Sequence, residues 1–514
     1  MKRYSDLEFL RLSKGQKRLY KLQCFFAAIP RKLWGVVLAI GRFFKKIGLG
    51  IAKEFSDIAK TFKDGDWKTK GSYLVMGLGN IARGQVLRGI LFLLFEIVFI
   101  AYMVLPQGGA YWLSKLDTLG DQGPHKEMVM QYGQSVETYV PGDNSFRILL
   151  YGVLTLFFIV AFIYTWRLNI KQNKIAEQIL RSGKPLRSGK DDLHSLVDDQ
   201  FHKTLLALPL TGILMFTVMP IVFMVLVAFT NYDAEHDGLN NLFTWVGMDN
   251  FNTMFNWTAG GKSYSAAFGE ILTWTLIWAF FATFTNYFLG MLVAMMINKK
   301  GINLKKLWRT VLVMTIAIPQ FISLLYVSKM FAKNGLINLS LINLGWIQTG
   351  QELPFWEDPT WARITVIIIN IWIGIPYLML IATGILMNIP ADLYESARID
   401  GANPVQQFMK ITLPYMLFIT GPYLLTSFTG NMNNFNVIYL LTGGGPTNAA
   451  ISTGGAAVGH TDLLITWLFK ITMEGGNKYY MASVVGILVF LVVAVISLVV
   501  YGLLPSIKNE EDFQ

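Results

Sequence analysis

Residues Asn388 to Pro414 read NIPADLYESARIDGANPVQQFMKITLP, a polar stretch set between two strongly apolar ones, residues 363–388 and 415–440. Asp392 followed by Glu395 makes a D-x-x-E pattern, which predicts a short helix starting at Leu393 with capped N–H groups. Gly401 after Asp400 supplies the left-handed residue that ends it. Asn403 is placed to cap a second helix, Pro404 takes its first position, and Pro414 predicts a break. Leu393, Ala397 and Ile399 give the first helix an apolar side, and Glu395 is left exposed. The expected form is a helix–turn–helix standing out from the apolar segments. A rigid, doubly capped loop of this kind suits contact with a partner better than it suits a passive, solvated link.

The flanking stretches belong to a series. Of 514 residues, 53% are hydrophobic and 15% charged, against about 25% charged in soluble domains, and mean hydropathy is +0.43. Runs of about 20 apolar residues, enough for a ~30 Å hydrocarbon core, recur at 85–105, 148–166, 204–231, 267–298, 307–331, 363–388, 415–440 and 481–504. A soluble, disordered or disulfide-stapled chain is excluded; the single cysteine, Cys24, reads as a small apolar residue. The fold expected is an all-α integral membrane protein with about eight transmembrane helices. Lys and Arg crowd one set of connections: the N-terminal arm, Arg167 to Lys203, and Lys299 to Arg309. Both termini are therefore expected in the cytoplasm of a cell that holds this multi-pass protein in its plasma membrane. Three regions follow: a basic segment over 1–84, two accessory spans with a linker over 85–203, and a six-span core over 204–514 carrying the loop 388–414.

Residues 1–72 hold 17 Lys and Arg against 6 acids, which accounts for the whole net charge of +11. No groove-reading motif accompanies them, so nucleic acid is not the expected partner; an anionic membrane leaflet is. Phe44, Ile47, Ile51, Phe55, Ile58 and Phe62 recur at three- and four-residue steps, with Lys45, Lys46, Lys53, Lys60 and Lys63 between them. That is an amphipathic helix, for the interface or for packing on the protein's own helices. The charged start argues against a signal peptide.

Polar side chains inside spans are costly and line paths or sites, or bond neighbouring helices. Ser427, Asn431 and Asn434 fall at i, i+4, i+7 in the seventh span, and Asn370, Gly374 and Tyr377 repeat that spacing in the sixth, beside Ile373. Amides donate and accept toward hydroxyls, and an aromatic ring presents a flat face to a sugar; no charge is present. Pro319 beside Gln320 is expected to kink or unwind the fifth span. No P-loop is complete, since Asn256 stands where Gly261-Lys262-Ser263 would need a leading glycine, and Asp191 follows Gly189-Lys190. No cofactor is expected on this chain, and five scattered histidines offer no metal spacing. Glu96, in LLFEIVF, is the one clear mid-span acid. It keeps an ion-coupled secondary transporter open as the alternative reading, against the plainer role of a hydrogen-bonded acid.

Glu395-Ser396-Ala397, Asp400-Gly401-Ala402 and Ile411 with Leu413-Pro414 resemble the EAA loop of ABC-importer permeases, with Ser396 in place of the commoner alanine. Leu208-Pro209, Ala228 to Tyr232, Ser427 to Phe435, Leu441 to Pro446 and Gly459 to Leu464 are similar to the MalF branch of the maltose type, from about Thr204 to the C-terminus. The resemblance implies a permease subunit of an importer for a neutral, maltodextrin-like oligosaccharide. It implies that Glu395, Ser396, Ala397, Asp400, Gly401 and Ala402 couple to an ABC ATPase dimer, where ATP and Mg are bound. It implies a MalG-like second permease and alternating access. It also implies a sugar site at Asn370, Ile373, Gly374, Tyr377, Ser427, Asn431 and Asn434. At Ile316 and Gln320 the maltose type has a tyrosine and a serine, which reshapes one end of that site. The connection 232–266 is short where enterobacterial members carry a large external domain. A Gram-positive version with a lipid-anchored binding protein is expected, the loop 106–146 serving as contact surface.

Overall fold

Apolar runs of this length fold as helices because a bilayer leaves backbone groups no other partner than the chain itself. Among the described residues of the computed structural model, seven helices are long and apolar enough to cross a membrane, and a bent pair makes an eighth span if counted as one. The structure describes residues 13–120, 122–123, 125–131, 134–140, 142–238, 241–256, 263–299, 301–452, 456–474 and 476–502. Two compact units result, Met1–Gly247 and Met248–Gln514.

The first unit begins with α1, Lys14–Asp64, opened by a capping box between Ser13 and Gln16. Ile51, Phe55 and Phe62 on this helix are exposed while Ile58 is half-buried, and Lys45, Lys46, Lys53, Lys60 and Lys63 are exposed. The side chains of Cys24, Phe44 and Ile47 lie outside the described residues. The spans α2 (Val86–Val104) and α3 (Ser145–Arg181) follow, then the short α4, Gly189–Val197, and α5, Phe201–Val227. At 37 residues α3 is longer than the apolar run that predicts it, reaching roughly 55 Å at 1.5 Å per residue. Its apolar first half buries Ile148, Leu149 and Val153, and its polar second half buries Asn169, Asn173 and Glu177.

That polar half holds the segment between α1 and α2. Asn169 Oδ1 accepts from the Gly77 N–H at 2.9 Å, and its Nδ2 donates to Ser72 O at 2.8 Å. Asn173 donates to Asn80 and accepts from Arg83, each at 2.8 Å. Arg83 also reaches Asp66 at 2.5 Å and Thr69 at 2.7 Å. Glu177 accepts from Thr69 Oγ1 at 2.8 Å. Asp66 is partly desolvated, which raises its carboxyl pKa, but the Thr69 N–H and the Arg83 guanidinium outweigh burial and hold it below the ordinary value.

One feature departs from the all-helical expectation. His125–Gln131 and Gln134–Val140 pair as an antiparallel hairpin inside the 106–146 loop. The loop is tied down by Trp245 Nε1, which donates to Leu116 O at 2.8 Å, and by the Ser145 N–H to Gly238 O at 3.2 Å.

In the second unit, α6 (Tyr264–Asn298) lies against α9 (Pro359–Leu386), the latter capped by Asp358 on the N–H groups of Thr360 and Trp361. Between them α7 (Lys305–Ala317) and α8 (Gln320–Met330) meet at 92°. Ile318 and Pro319 are extended at the break, as the proline predicts. After α10 (Ala391–Ile399) come α11 (Leu413–Met432), α12 (Phe435–Thr442), α13 (Leu464–Met473) and α14 (Tyr479–Tyr501). Trp274, Trp278, Leu324, Val366, Ile369, Val437 and Leu441 form one buried cluster, and Tyr287, Met291, Leu378, Met379 and Met416 another.

Candidate functional site

The polar residues singled out in the sixth and seventh spans occupy α9, α11 and the start of α12. Asn370 is 5% exposed. Asn431 Nδ2 donates to Thr283 Oγ1 of α6 at 3.0 Å and its Oδ1 accepts from Asn434 Nδ2 at 3.3 Å, while Trp278 Nε1 donates to Asn431 O at 3.1 Å. Asn434 Oδ1 caps α12 through the Val437 N–H at 3.4 Å. Ser427 is half-buried. Tyr377 is 53% exposed, its ring 6.5 Å from that of Tyr423. Ile373 packs against the tryptophan-rich cluster. Ile316 and Gln320, both exposed, stand on either side of the break between α7 and α8.

The helix that links these groups is α6, which no motif in the sequence singles out. Thr283 and Asn286 lie one turn apart on it, and both are buried. A β-carbon on Gly374 would collide with the Asn286 amide, so α6 approaches α9 closely only because that residue is glycine. Asn286 Oδ1 and Asn370 Nδ2 are both buried without a hydrogen-bond partner among the described residues. An asparagine at the middle of the long apolar run 267–298 is the signal that could have flagged α6.

The polar connection forms its two helices with two adjustments. α10 starts at Ala391, so Asp392 lies inside the first turn rather than capping it, and no side chain caps the helix. There its charge complements the N–H groups through the helix dipole. Gly401, at φ 76°, ends the helix as expected, and the Ala402 N–H returns to Ala397 O at 2.8 Å. Asn403 and Gln406 form a reciprocal capping box with Pro404 at the first position. Pro414 does not break the chain. A five-residue π-helical turn, Phe408–Thr412, carries the helix into α11; the wider turn accommodates a ring that an α-helix would refuse. Glu395 is exposed, Ile399 is 86% exposed, and Tyr394 bonds Thr412 at 2.9 Å, fastening α10 to that turn.

Two further groups resolve simply. Glu96 is 8% exposed, and its Oε2 accepts from the Met76 N–H at 2.7 Å. Asp462 accepts from Lys470 Nζ at 2.7 Å, the Gly459 N–H at 2.7 Å and Thr466 Oγ1 at 2.8 Å. Neighbouring His460 is partly buried and beside Arg363, which together hold its imidazole below the ordinary pKa.

Residues 286–509 match the family described as "Binding-protein-dependent transport system inner membrane component". The maltodextrin transport system permease protein MalC of Streptococcus pneumoniae is 33% identical over 448 residues, covering 85% of this chain and 96% of that protein. The galactooligosaccharides transport system permease protein GanP of Bacillus subtilis is 30% identical, covering 85% and 97%. The maltose/maltodextrin permease MalF of Escherichia coli is 36% identical over 254 residues, but covers 47% and 48%. Residues 204–514 are only about three-fifths of the chain. The match to MalC therefore reaches into the first 203 residues, where the sequence reading saw no more than accessory spans. The chain belongs to the permease subunits of ABC importers, transport components that span the membrane several times.

Proposed function

We propose that this subunit imports a neutral oligosaccharide of the maltodextrin kind, moving it from an external binding protein to the cytoplasm by alternating access. The observation that carries this reading is the set of uncharged polar side chains on these helices: Asn431 and Asn434, bonded to each other at 3.3 Å, and buried Asn370, with Ser427 and Tyr377 on the same helices. Such groups meet sugar hydroxyls as donors and acceptors at once, and Tyr377 offers an aromatic face. The names of MalC and GanP, both oligosaccharide permeases, support the class. Ile373 and Gly374 lie between the polar groups of α9. Ile316 and Gln320, at the end of two broken helices, are the positions for discriminating sugar type and length.

Energy is supplied elsewhere. The exposed α10, with Glu395, Ser396 and Ala397 before the turn Asp400-Gly401-Ala402, docks on an ABC ATPase dimer that binds ATP and Mg. Its fastening to the π turn passes the movement to α11. A MalG-like second permease completes the pathway, the binding protein is lipid-anchored, and both termini face the cytoplasm, where the basic groups collect.

The test is purification of the tagged chain from its native membrane with its associated subunits, followed by uptake into proteoliposomes. Recovery of an ATPase and a second permease, and ATP-dependent uptake of maltotriose in preference to an acidic oligosaccharide, are expected. Recovery of the chain alone, or uptake of the acidic sugar instead, overturns the proposal. Glu395→Lys reverses charge on the docking helix and is expected to abolish uptake without loss of membrane insertion; unchanged uptake removes the coupling role.

A further inference from the structure

Asn286 is 6% exposed, faces Gly374 across a helix contact with no room for a β-carbon, and keeps an unsatisfied carbonyl oxygen. One turn before Gly374 on α9, Asn370 keeps an unsatisfied amide nitrogen. The two orphans are complementary, one acceptor and one donor, and both are closed off in this structure, so a ligand meets them only when the contact between α6 and α9 loosens. A hydroxyl is the neutral group that donates to the first while accepting from the second. The same stripe of α6 presents Thr283, three residues earlier, to Asn431, so α6 touches both polar faces of the site at consecutive turns.

We propose that Asn286 is a specificity-determining residue that accepts a hydroxyl of the transported sugar, making α6 a third wall of the site; this rests on the reading of the site given above. Without a ligand the amide is a burden on the fold, because a buried acceptor without a donor is destabilising and a leucine, which branches at the same atom with as many heavy atoms, avoids that cost. A packing amide and a ligand amide therefore answer the same substitution with opposite signs. The acceptor also selects. A sugar with a hydroxyl at that place fills the pair, whereas one whose hydroxyl points elsewhere leaves both amides unpaired.

The experiment uses the complex purified from the native membrane, with radiolabelled maltotriose uptake and thermal unfolding measured together. Asn286→Leu is expected to lower uptake about tenfold, the effect of one lost hydrogen bond in a buried site. The unfolding midpoint should stay unchanged or rise. Asn286→Thr keeps an uncharged oxygen acceptor and should retain uptake within about threefold. Undiminished uptake by the leucine variant, a lowered midpoint in it, or equal loss in the threonine variant overturns the inference. Asn434→Ala and Tyr377→Ala are run alongside. If they lower uptake while Asn286→Leu does not, the sugar site stands and the role of Asn286 falls. If none of the three lowers uptake, both fall.

Discussion

In the N-terminal unit both polar atoms of Asn169 and of Asn173 have partners, most of them in the segment between α1 and α2; in the C-terminal unit Asn286 and Asn370, also buried, each leave one buried atom unpaired. The residue type is the same and the bonding of the amides differs, although Arg83 Nε leaves even the N-terminal network with one buried atom unpaired. A closed polar network fixes a shape, because removing any member strands the others in a medium where unpaired groups are costly. A network left open at a helix contact has capacity for a ligand that completes it. The same comparison bears on Glu96. With its oxygen on the Met76 N–H it belongs to the closed kind, and the ion-coupled alternative is not favoured.

The largest expected effect breaks the closed side. Arg83→Met removes the buried guanidinium that bonds Asp66, Thr69 and Asn173 and should cost about 2–3 kcal/mol, since Asp66 is partly exposed and Glu177 keeps Arg181 and Thr69, read as a fall in thermal midpoint or yield of the complex. A change under 1 kcal/mol would show that the network adds little. On the open side, Asn370→Leu should lower sugar uptake about tenfold with no loss of thermal stability, the loss of one hydrogen bond to ligand. A fall in stability matching the fall in uptake would place Asn370 with the packing amides instead. Smaller again, Glu96→Gln keeps an acceptor for the Met76 N–H and should change stability by less than about 1 kcal/mol, with uptake intact in the presence of a protonophore. Collapse of uptake under either treatment would restore the ion-coupled reading. The smallest effect concerns His460. Its folded pKa lies below the ordinary value of 6.5, so the folded state takes up its proton less readily than the unfolded one. Stability is therefore full above about pH 6.5 and declines as pH falls below it. The protection factors of residues 456–463 should fall on acidification, and His460→Gln should remove that dependence.

Much of the architecture is legible in the sequence because the bilayer imposes length and composition on each span. The Asn388–Pro414 loop is legible because its signals are local: Gly401 and Asn403 act on their own backbone. Asp392 lies inside the first turn and not at the cap because a carboxylate at either place leaves the same short pattern. Pro414 continues the helix because a π turn, which has no sequence signature of its own, takes up its ring. The role of α6 depends on Gly374 meeting Asn286 across 88 positions of chain, a tertiary fact that no helical period encodes. The hairpin at 125–140 was missed for a similar reason, since its pairing partner lies across a turn and its alternation is short.

The π turn at Phe408–Thr412 has a rotational consequence. One residue more or less is about 100° around a helix axis. The polar stripe of Ser427 and Asn431 is therefore set at a fixed azimuth from α10, offset from where uninterrupted α winding would put it. Rewinding that single turn as α would swing one end of the rod against the other by about a quarter revolution. Pro414 stands against that rewinding, because its ring needs the wider turn. The π turn thus sets the angle between the two ends of the rod, and the proline keys it there.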